Sequence, residues 1–179
     1  MNLELLAIGE LDRRLLENLR TQMGRVFRVP CEVVSETLSP EFAFHQERGQ
    51  YHSSEILARL QPRVGPHCWR LLGVTAVDLY IPILTFVFGE AQMGGPCGVV
   101  SFHRLRQEFY GLPADPNLLQ GRLLKEAVHE VGHTLELTHC DDYGCVMASS
   151  HAVEWIDLKE PFLCAQCRNQ ALTNAHGVR

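Results

Sequence analysis

The stretch HEVGHTLELTHCDDYGCVM, from His129 to Met147, places three histidines, two cysteines and a methionine within nineteen residues. Imidazole nitrogens and cysteine thiolates are the ligands that zinc prefers in proteins. The stretch therefore raises the question of whether it contributes to one metal site or to two. The answer bears on the fold as well, because the energy of metal binding is added to the energy of folding.

The histidines have the spacing of a catalytic zinc site. His129 and His133 are four residues apart, which places both rings on one face of a predicted helix. Glu130 lies next to the first histidine and is suited to hold and deprotonate a water that the metal activates. If the helix ends near residues 135–137 and the chain turns back, His139 supplies a third ligand. Three ligands and one open position are typical of catalytic zinc, and the third histidine argues against mere surface histidines.

The cysteines form a second pattern, C-x4-C, then eighteen residues, then C-x2-C. This spacing predicts a four-thiolate zinc site, and such a closed site is structural. Its members are Cys140, Cys145, Cys164 and Cys167. A redox pair and unrelated buried thiols are the two weaker alternatives. The other three cysteines, Cys31, Cys68 and Cys97, are predicted to be small buried residues. We therefore expect two zinc ions per chain, one catalytic and one structural.

Length and composition favour a single globular domain over residues 1–179. Within it we expect an N-terminal part, 1–139, with the sheet and the active-site helix, and a C-terminal part, 140–179, with the cysteine site. The net charge of −5 argues against a nucleic-acid partner. The first residues lack the pattern of a signal peptide, and no apolar run approaches the about 20 residues that a membrane span needs. We expect a cytoplasmic protein without a membrane partner. A monomer is favoured, although the sequence leaves the oligomeric state open.

Hydrophobic periodicity predicts an α/β (α+β) fold in which strands and helices alternate before a ligand-rich C-terminal end. Predicted strands cover residues 3–9, 31–36, 74–82, 84–91 and 97–105, the last paired antiparallel to its predecessor. Predicted helices cover residues 12–27, 53–61 and 118–137, and a last helical piece surrounds CRNQALTNA. Serines 53 and 54 are predicted to cap the second helix.

The combined pattern resembles that of the archaemetzincins, a branch of the metzincin clan of zinc metallopeptidases. Their pattern is H-E-x-x-H-x-x-G-x-x-H-C-x4-C-x-M followed by a distal C-x-x-C, and residues 129–167 match it at all but one specified position. The resemblance implies that the three histidines bind catalytic zinc, that Glu130 is the general base and that Met147 forms the Met-turn beneath the histidines. It also implies a mixed twisted sheet above the active-site helix, with GVVSFHR (98–104) or a near neighbour as the edge strand. A peptide or protein substrate would add to that strand by main-chain hydrogen bonds.

The position that departs from the family pattern is Glu136, which stands where the family has glycine. A left-handed conformation at a non-glycine residue is strained by roughly 1–2 kcal/mol. We therefore expect either a strained turn at Glu136 or a turn at a neighbour, with the carboxylate facing solvent.

Other polar residues near the motif receive simpler interpretations. His151 is predicted to lie at the surface, with a donor role towards an oxyanion as the alternative. Asp157 and Lys159 are predicted to be solvated charges. No metal role is expected for the remaining scattered histidines, His45, His52, His67 and His103.

Three functions are compatible with these patterns. The leading hypothesis is a zinc-dependent metallopeptidase, a hydrolase in which Glu130 transfers a proton from water to the leaving amine. The second is a weakly active or non-catalytic zinc protein that binds extended peptides, motivated by Glu136. The third is a metal-dependent ribonuclease, because one such family shares the spacing of the histidines. A glutamate after the first histidine and the acidic net charge favour peptide hydrolysis.

Overall fold

The structure, a computed structural model, describes residues 1–177. Its eight strands are β1 (Asn2–Ile8), β2 (Cys31–Leu38), β3 (Phe44–His45), β4 (Gln50–His52), β5 (Cys68–Thr75), β6 (Leu79–Tyr80), β7 (Gly89–Ala91) and β8 (Cys97–Ser101). Its five α-helices are α1 (Arg13–Phe27), α2 (Ser53–Leu60), α3 (Pro116–Thr134), α4 (Val153–Leu158) and α5 (Ala165–Gly177). No helix in the described part of the chain combines the length and apolar character needed to span a bilayer.

Five strands form a mixed sheet in the order β2-β1-β5-β8-β7. All neighbours are parallel except β7 and β8, which are antiparallel. Strand β1 shows why the sheet lies in the middle of the molecule: Leu3 and Leu5 enter one core, and Leu6 and Ile8 enter the other. Apolar residues on both faces of a strand are typical of parallel sheets that are covered on both sides.

Helices cover the sheet on both faces. Helices α1 and α3 pack in the larger core, and α2 packs in the smaller one. The larger core continues into the C-terminal region, where Val153, Ile156 and Ala171 belong to the same apolar cluster as β1. The sheet, the helix that carries the histidines and the C-terminal region therefore share one core. The predicted α/β class with a mixed sheet is confirmed.

The predicted strands between residues 74 and 91 are partly wrong. The central strand β5 begins earlier, at Cys68, and residues 81–88 form a loop with a single bridge between Val87 and Leu79 rather than a strand. In this loop the carbonyls of Leu84 and Thr85 accept hydrogen bonds from the guanidinium of Arg48, at 2.8 and 3.1 Å. Side-chain donors thus replace the strand partner that these carbonyls would otherwise need.

The edge strand is the near neighbour of residues 98–104, the second possibility that the sequence left open. Strand β8 is an inner strand, bonded to β5 on one side and to β7 on the other. Its near neighbour β7 is the last strand of the sheet. The predicted antiparallel pairing of β8 with its predecessor is confirmed.

Helix α3 begins two residues earlier than predicted and ends three residues earlier. Asp115 caps its N-terminus, because its Oδ1 accepts a hydrogen bond from the amide of Leu118 at 2.9 Å. Helix α4 was not predicted from the sequence. The helical piece around CRNQALTNA is confirmed as part of α5.

Candidate metal centres

Helix α3 brings two imidazoles together. The Nε2 atoms of His129 and His133 lie 3.0 Å apart. The Nδ1 atom of His129 bonds the carbonyl of Val146 at 2.8 Å, and that of His133 bonds the carbonyl of Leu137 at 2.7 Å. Backbone partners at Nδ1 leave Nε2 unprotonated and directed at a common point, as in metal sites. Burial lowers the pKa of both imidazoles, which favours the neutral form that binds a metal.

A left-handed turn after α3 delivers the third imidazole. Glu136 adopts a φ of 61°, so it takes the conformation of the family glycine itself. The carbonyl of Gly132 accepts hydrogen bonds from the amides of Leu135 and Leu137, which closes the helix end. The ring of His139 then lies 5.3 Å from that of His129 and 5.1 Å from that of His133, measured between centroids. The three histidines therefore converge despite the departure from glycine.

This cluster fits a tetrahedral zinc ion. With Zn–N bonds of about 2.0–2.1 Å, two ligand nitrogens stand about 3.3 Å apart. The observed 3.0 Å between the Nε2 atoms of His129 and His133 is close to that edge. One ligand atom from each of the three histidines lies within 4.8 Å of the others. His139 is exposed, so the group opens to solvent on its side.

Glu130 lies beneath the edge strand. Its side chain is 4% exposed, and a Cβ atom at Gly89 would stand 2.5 Å from its Oε1. Only glycine at this position of β7 leaves room for the carboxylate. Burial raises the pKa of Glu130 well above its ordinary value, and the nearby carboxylates of Glu126 and Glu90 raise it further. A carboxyl group with a raised pKa is suited to accept and return a proton.

Met147 packs directly under the helix. It is fully buried, and a Cβ atom at Gly132 would overlap its sulfur. Gly132 lies between the two helical histidines in sequence, so the methionine supports the helix surface behind them. The resemblance to the family pattern singled out this residue, and the structure places it against Gly132.

The four cysteines of the C-terminal pattern converge into a second cluster. One sulfur from each lies within 4.8 Å of the others, and the Sγ atoms of Cys140 and Cys164 are 3.9 Å apart. With Zn–S bonds of about 2.3 Å, the tetrahedral edge is about 3.8 Å. Two of the sulfurs accept hydrogen bonds from backbone amides. The amide of Cys164 donates to Sγ of Cys145 at 3.3 Å, and the amide of Cys167 donates to Sγ of Cys164 at 3.5 Å. The amide of Cys167 is also the main cause of the lowered pKa of Cys164.

The other three cysteines lie apart from this cluster. Cys31 and Cys97 are buried, and Cys68 is half-buried. Burial raises the pKa of their thiols, to about 12 for Cys31 and Cys68 and to about 11 for Cys97. They are therefore protonated, unreactive side chains, and the prediction that they are small buried residues is confirmed for Cys31 and Cys97.

A cleft of about 520 Å³ passes over the histidine cluster, between β7 and the segment 149–151. Strand β7 bonds β8 through one side only, and the amide of Ser101 donates to the carbonyl of Phe88 at 2.8 Å. Because backbone groups alternate along a strand, the groups of Gly89 and Ala91 point away from β8. The open side of the sheet therefore borders the cleft.

Helix α2 holds this strand through Glu90. The hydroxyl of Ser54 donates to Oε1 of Glu90 at 2.8 Å, and the hydroxyl of Ser53 also bonds this carboxylate. The serines therefore anchor β7. The prediction that they cap α2 is wrong, because no side chain of residues 1–177 caps this helix. Neither contact follows from local spacing, since the partners are more than thirty residues apart.

Lys159 is buried, so its prediction as a solvated charge is wrong. Its side chain is 1% exposed, and its Nζ atom lies 3.3 Å from Oε1 of Glu126, one turn before Glu130 on α3. It also donates to the carbonyl of Val146 at 3.3 Å. Burial raises the pKa of Glu126, and the positive charge of Lys159 opposes that rise. The partly exposed Asp157 forms a second pair, with Arg122, at 2.6 Å.

The remaining histidines have different surroundings. His151 is exposed and lines the cleft opposite β7. Nδ1 of His103 lies 3.0 Å from the carbonyl of Ala76. His45 and His52 come together with Glu55 in a third group of potential ligands, which the sequence had not suggested.

A mixed sheet over a helix with H-E-x-x-H, followed by a left-handed turn and a third histidine, defines the class of zinc-dependent metallopeptidases. The family description "Peptidase family M54" matches residues 23–173. The chain belongs to this family, the archaemetzincins.

Known relatives agree in sequence and in fold. The archaemetzincin of Methanocaldococcus jannaschii is 42% identical over 160 residues, which cover 89% of this chain and 87% of the relative. The crystal structure of archaemetzincin from Methanopyrus kandleri superposes with a TM-score of 0.82 at 34% identity, covering 98% of this chain and 96% of that one. A zinc-dependent peptidase from Methanocorpusculum labreanum gives a TM-score of 0.85 at 30% identity, with coverages of 94% and 99%.

Proposed function

We propose that this chain hydrolyses peptide bonds in the cleft above α3, with His129, His133 and His139 as ligands of a catalytic zinc ion. The observation that carries the proposal is the convergence of three neutral imidazoles beside a buried carboxylate. When bound, zinc supplies Lewis-acid activation of water and of the scissile carbonyl. The chain's own groups provide the proton transfers and the binding of the substrate.

Glu130 acts as the general base. Its buried position raises its pKa, so it holds a proton taken from the attacking water more readily than a solvated carboxylate would. The proton then passes to the nitrogen of the leaving amine, which departs as a neutral amine. Gly89 keeps the carboxylate under the edge strand, where a substrate backbone passes.

The substrate is an extended peptide or protein segment that pairs with β7. The outward backbone groups of Gly89 and Ala91 supply main-chain hydrogen bonds. The exposed imidazole of His151 lines the opposite side of the cleft and donates a hydrogen bond to the developing oxyanion.

The four cysteines hold a second, structural zinc ion, so the chain carries two. This ion joins the loop of Cys140 and Cys145 to the start of α5. On this proposal residues 1–179 form one catalytic domain, in which 1–139 and 140–179 are subdomains that share the larger core. Met147 forms the Met-turn that supports α3 from below.

The substitution Glu130→Gln tests the mechanism. An amide keeps the shape of the side chain but cannot accept the proton, so we expect turnover of a peptide library to fall by about 10²–10⁴-fold. Zinc content, measured by elemental analysis, stays unchanged because Glu130 is not a ligand. Glu136→Gln is the matched control and retains activity. Full turnover by Glu130→Gln would contradict the assignment of the general base.

The same assay addresses the two alternatives. A non-catalytic peptide-binding protein would bind library peptides without cleaving them. A ribonuclease is disfavoured because, among the described residues 1–177, no lysine or arginine lines the cleft to bind phosphates. If the protein cleaved RNA and left all library peptides intact, the proposal would be overturned.

A further inference from the structure

A second pair of histidines lies outside the cleft, where the β3–β4 hairpin meets the start of α2. Nε2 of His45 is 3.0 Å from Oε1 of Glu55, and Nδ1 of His52 is 3.2 Å from the same oxygen. One donor atom from each residue lies within 4.8 Å of the others. Three strong ligand atoms thus converge from three separate elements, β3, β4 and α2.

The distances match those of a coordination sphere. With bonds of about 2.0–2.2 Å to nitrogen and carboxylate oxygen, neighbouring ligands of zinc stand about 3.3 Å apart. Both nitrogen–oxygen distances around Glu55 are close to this value.

The surrounding groups hold the two rings in place. The ring of His52 stacks on Tyr80 with centroids 5.2 Å apart, and the ring of His45 meets the edge of Tyr80 at 5.7 Å. The guanidinium of Arg48 lies over the ring of Tyr80 at 4.1 Å. Its Nη2 atom donates to the loop carbonyls of Leu84 and Thr85, and its Nε atom donates to Oε1 of Gln50. The positive charge thus has partners of its own.

We propose that His45, His52 and Glu55 form a third metal site, which takes a divalent first-row transition ion such as Zn²⁺ or Co²⁺. Two imidazoles and one carboxylate are a ligand set that these ions accept with water in the remaining positions. The proposal does not depend on peptidase activity, because none of the three residues lines the cleft.

The site would brace the rim of the cleft from outside. Ser53 and Ser54, which follow His52 directly, bind Glu90 of β7. At the tip of the hairpin, Arg48 binds the carbonyls of the loop that borders the cleft. An ion that joins the hairpin to α2 would therefore stiffen both attachments of the substrate-binding edge.

The third site binds its ion more weakly than the other two. Both histidines and Glu55 are partly exposed, and within residues 1–177 the second ring nitrogens of His45 and His52 have no hydrogen-bond partner to orient them. Partners of this kind typically change metal affinity by about 10–100-fold. We expect this ion to be absent after mild chelation and to return when metal is added.

The test compares metal uptake by the full chain and by variants that each lack one ligand. The protein, purified with its tightly held metal, is titrated with Zn²⁺ in a calorimeter, and the bound metal is counted after gel filtration. Wild type takes up one equivalent more than Glu55→Gln, and one more than His45→Ala. Glu47→Gln and His67→Ala are matched controls on exposed residues and retain that equivalent.

The readout is the difference in bound metal between wild type and variants. The occupancy of the histidine site in the cleft changes the bound metal of all these proteins equally, so it does not affect this difference. Titration with Co²⁺ identifies the ligands, because this equivalent absorbs in the visible region without thiolate charge transfer. Equal uptake by wild type, Glu55→Gln and His45→Ala would overturn the proposal. Loss of the equivalent in both variants, with native circular dichroism in at least one, supports it.

Discussion

The histidine cluster and the four-cysteine cluster are adjacent in sequence, but the first is open to solvent and the second is enclosed. His139 and Cys140 are consecutive, yet each belongs to a different cluster. Two of the histidines lie on a regular helix and the third follows directly after it, and the cluster opens to solvent on the side of His139. The cysteines come from two loop segments and the start of α5 and enclose their centre. A zinc ion with three protein ligands and one open position can bind water and substrate, whereas a zinc ion with four protein ligands connects the loops that supply them.

One carbonyl links the two clusters. Val146 lies between a cysteine of one cluster and the methionine beneath the other, and its carbonyl accepts hydrogen bonds from His129 and from Lys159. The orientation of a histidine in the cleft therefore depends on the same short segment that the cysteines hold. We therefore predict that loss of a cysteine ligand also disturbs the histidine cluster, whereas loss of a histidine ligand leaves the cysteine cluster intact.

Removing one ligand from each cluster tests this asymmetry and gives the largest expected effect. Cys164→Ser should lower the free energy of unfolding by on the order of 5 kcal/mol, a fraction of the roughly 10–16 kcal/mol with which structural zinc binds. His133→Ala should lose turnover but change stability by less than about 2 kcal/mol, because α3 is held by the core. Denaturant unfolding of the metal-loaded proteins measures both, with Cys68→Ser as the control. Equal destabilisation by the two ligand variants would end the distinction.

The ion pair beneath the clusters gives the next largest effect. Lys159→Met leaves the carboxylate of Glu126 buried without its partner, which should lower stability by about 3–5 kcal/mol. Adding Glu126→Gln should recover much of this loss, since the unpaired charge is then removed. Lys125→Met is the control, because Lys125 is more exposed and donates only to backbone carbonyls. A loss no larger than that of the control would show that the pair is not stabilising.

Chelation sharpens the comparison without any substitution. Metal at the open histidine site should be released at least about 10²-fold faster than metal at the closed cysteine site, because a chelator can enter through the vacant position. A zinc indicator follows the release over time, and peptidase activity should disappear with the fast phase. If activity instead followed the slow phase, the assignment of the catalytic ion to the histidines would be wrong.

The turn between the clusters gives the smallest effect. Glu136 has a φ of 61°, and glycine would relieve roughly 1–2 kcal/mol of strain, partly offset by the greater freedom of glycine in the unfolded chain. We expect Glu136→Gly to raise stability by about 1 kcal/mol, as measured by the denaturation midpoint, with Glu136→Gln as the control. No gain would mean that packing of the side chain over Gly94 compensates for the strain.

The sequence by itself predicted the residues that form both clusters and the class of fold. Contacts within one helical turn, such as that between His129 and His133, depend only on the spacing of residues along the chain. The same holds for the apolar runs of the strands at residues 2–8, 31–38 and 97–101. These features are local, so a pattern along the chain is sufficient to predict them.

Only the tertiary structure decided how the cleft is built. The glycine that makes room for Glu130, the serines that hold Glu90, the buried partner of Glu126 and the carboxylate between His45 and His52 all meet across different elements. These residues are far apart along the chain, so they form no repeating pattern in the sequence. Taken one at a time, each resembles an ordinary surface or loop residue. Lys159 is the clearest example, because its burial follows from the packing of α4 against α3 and not from the residues around it.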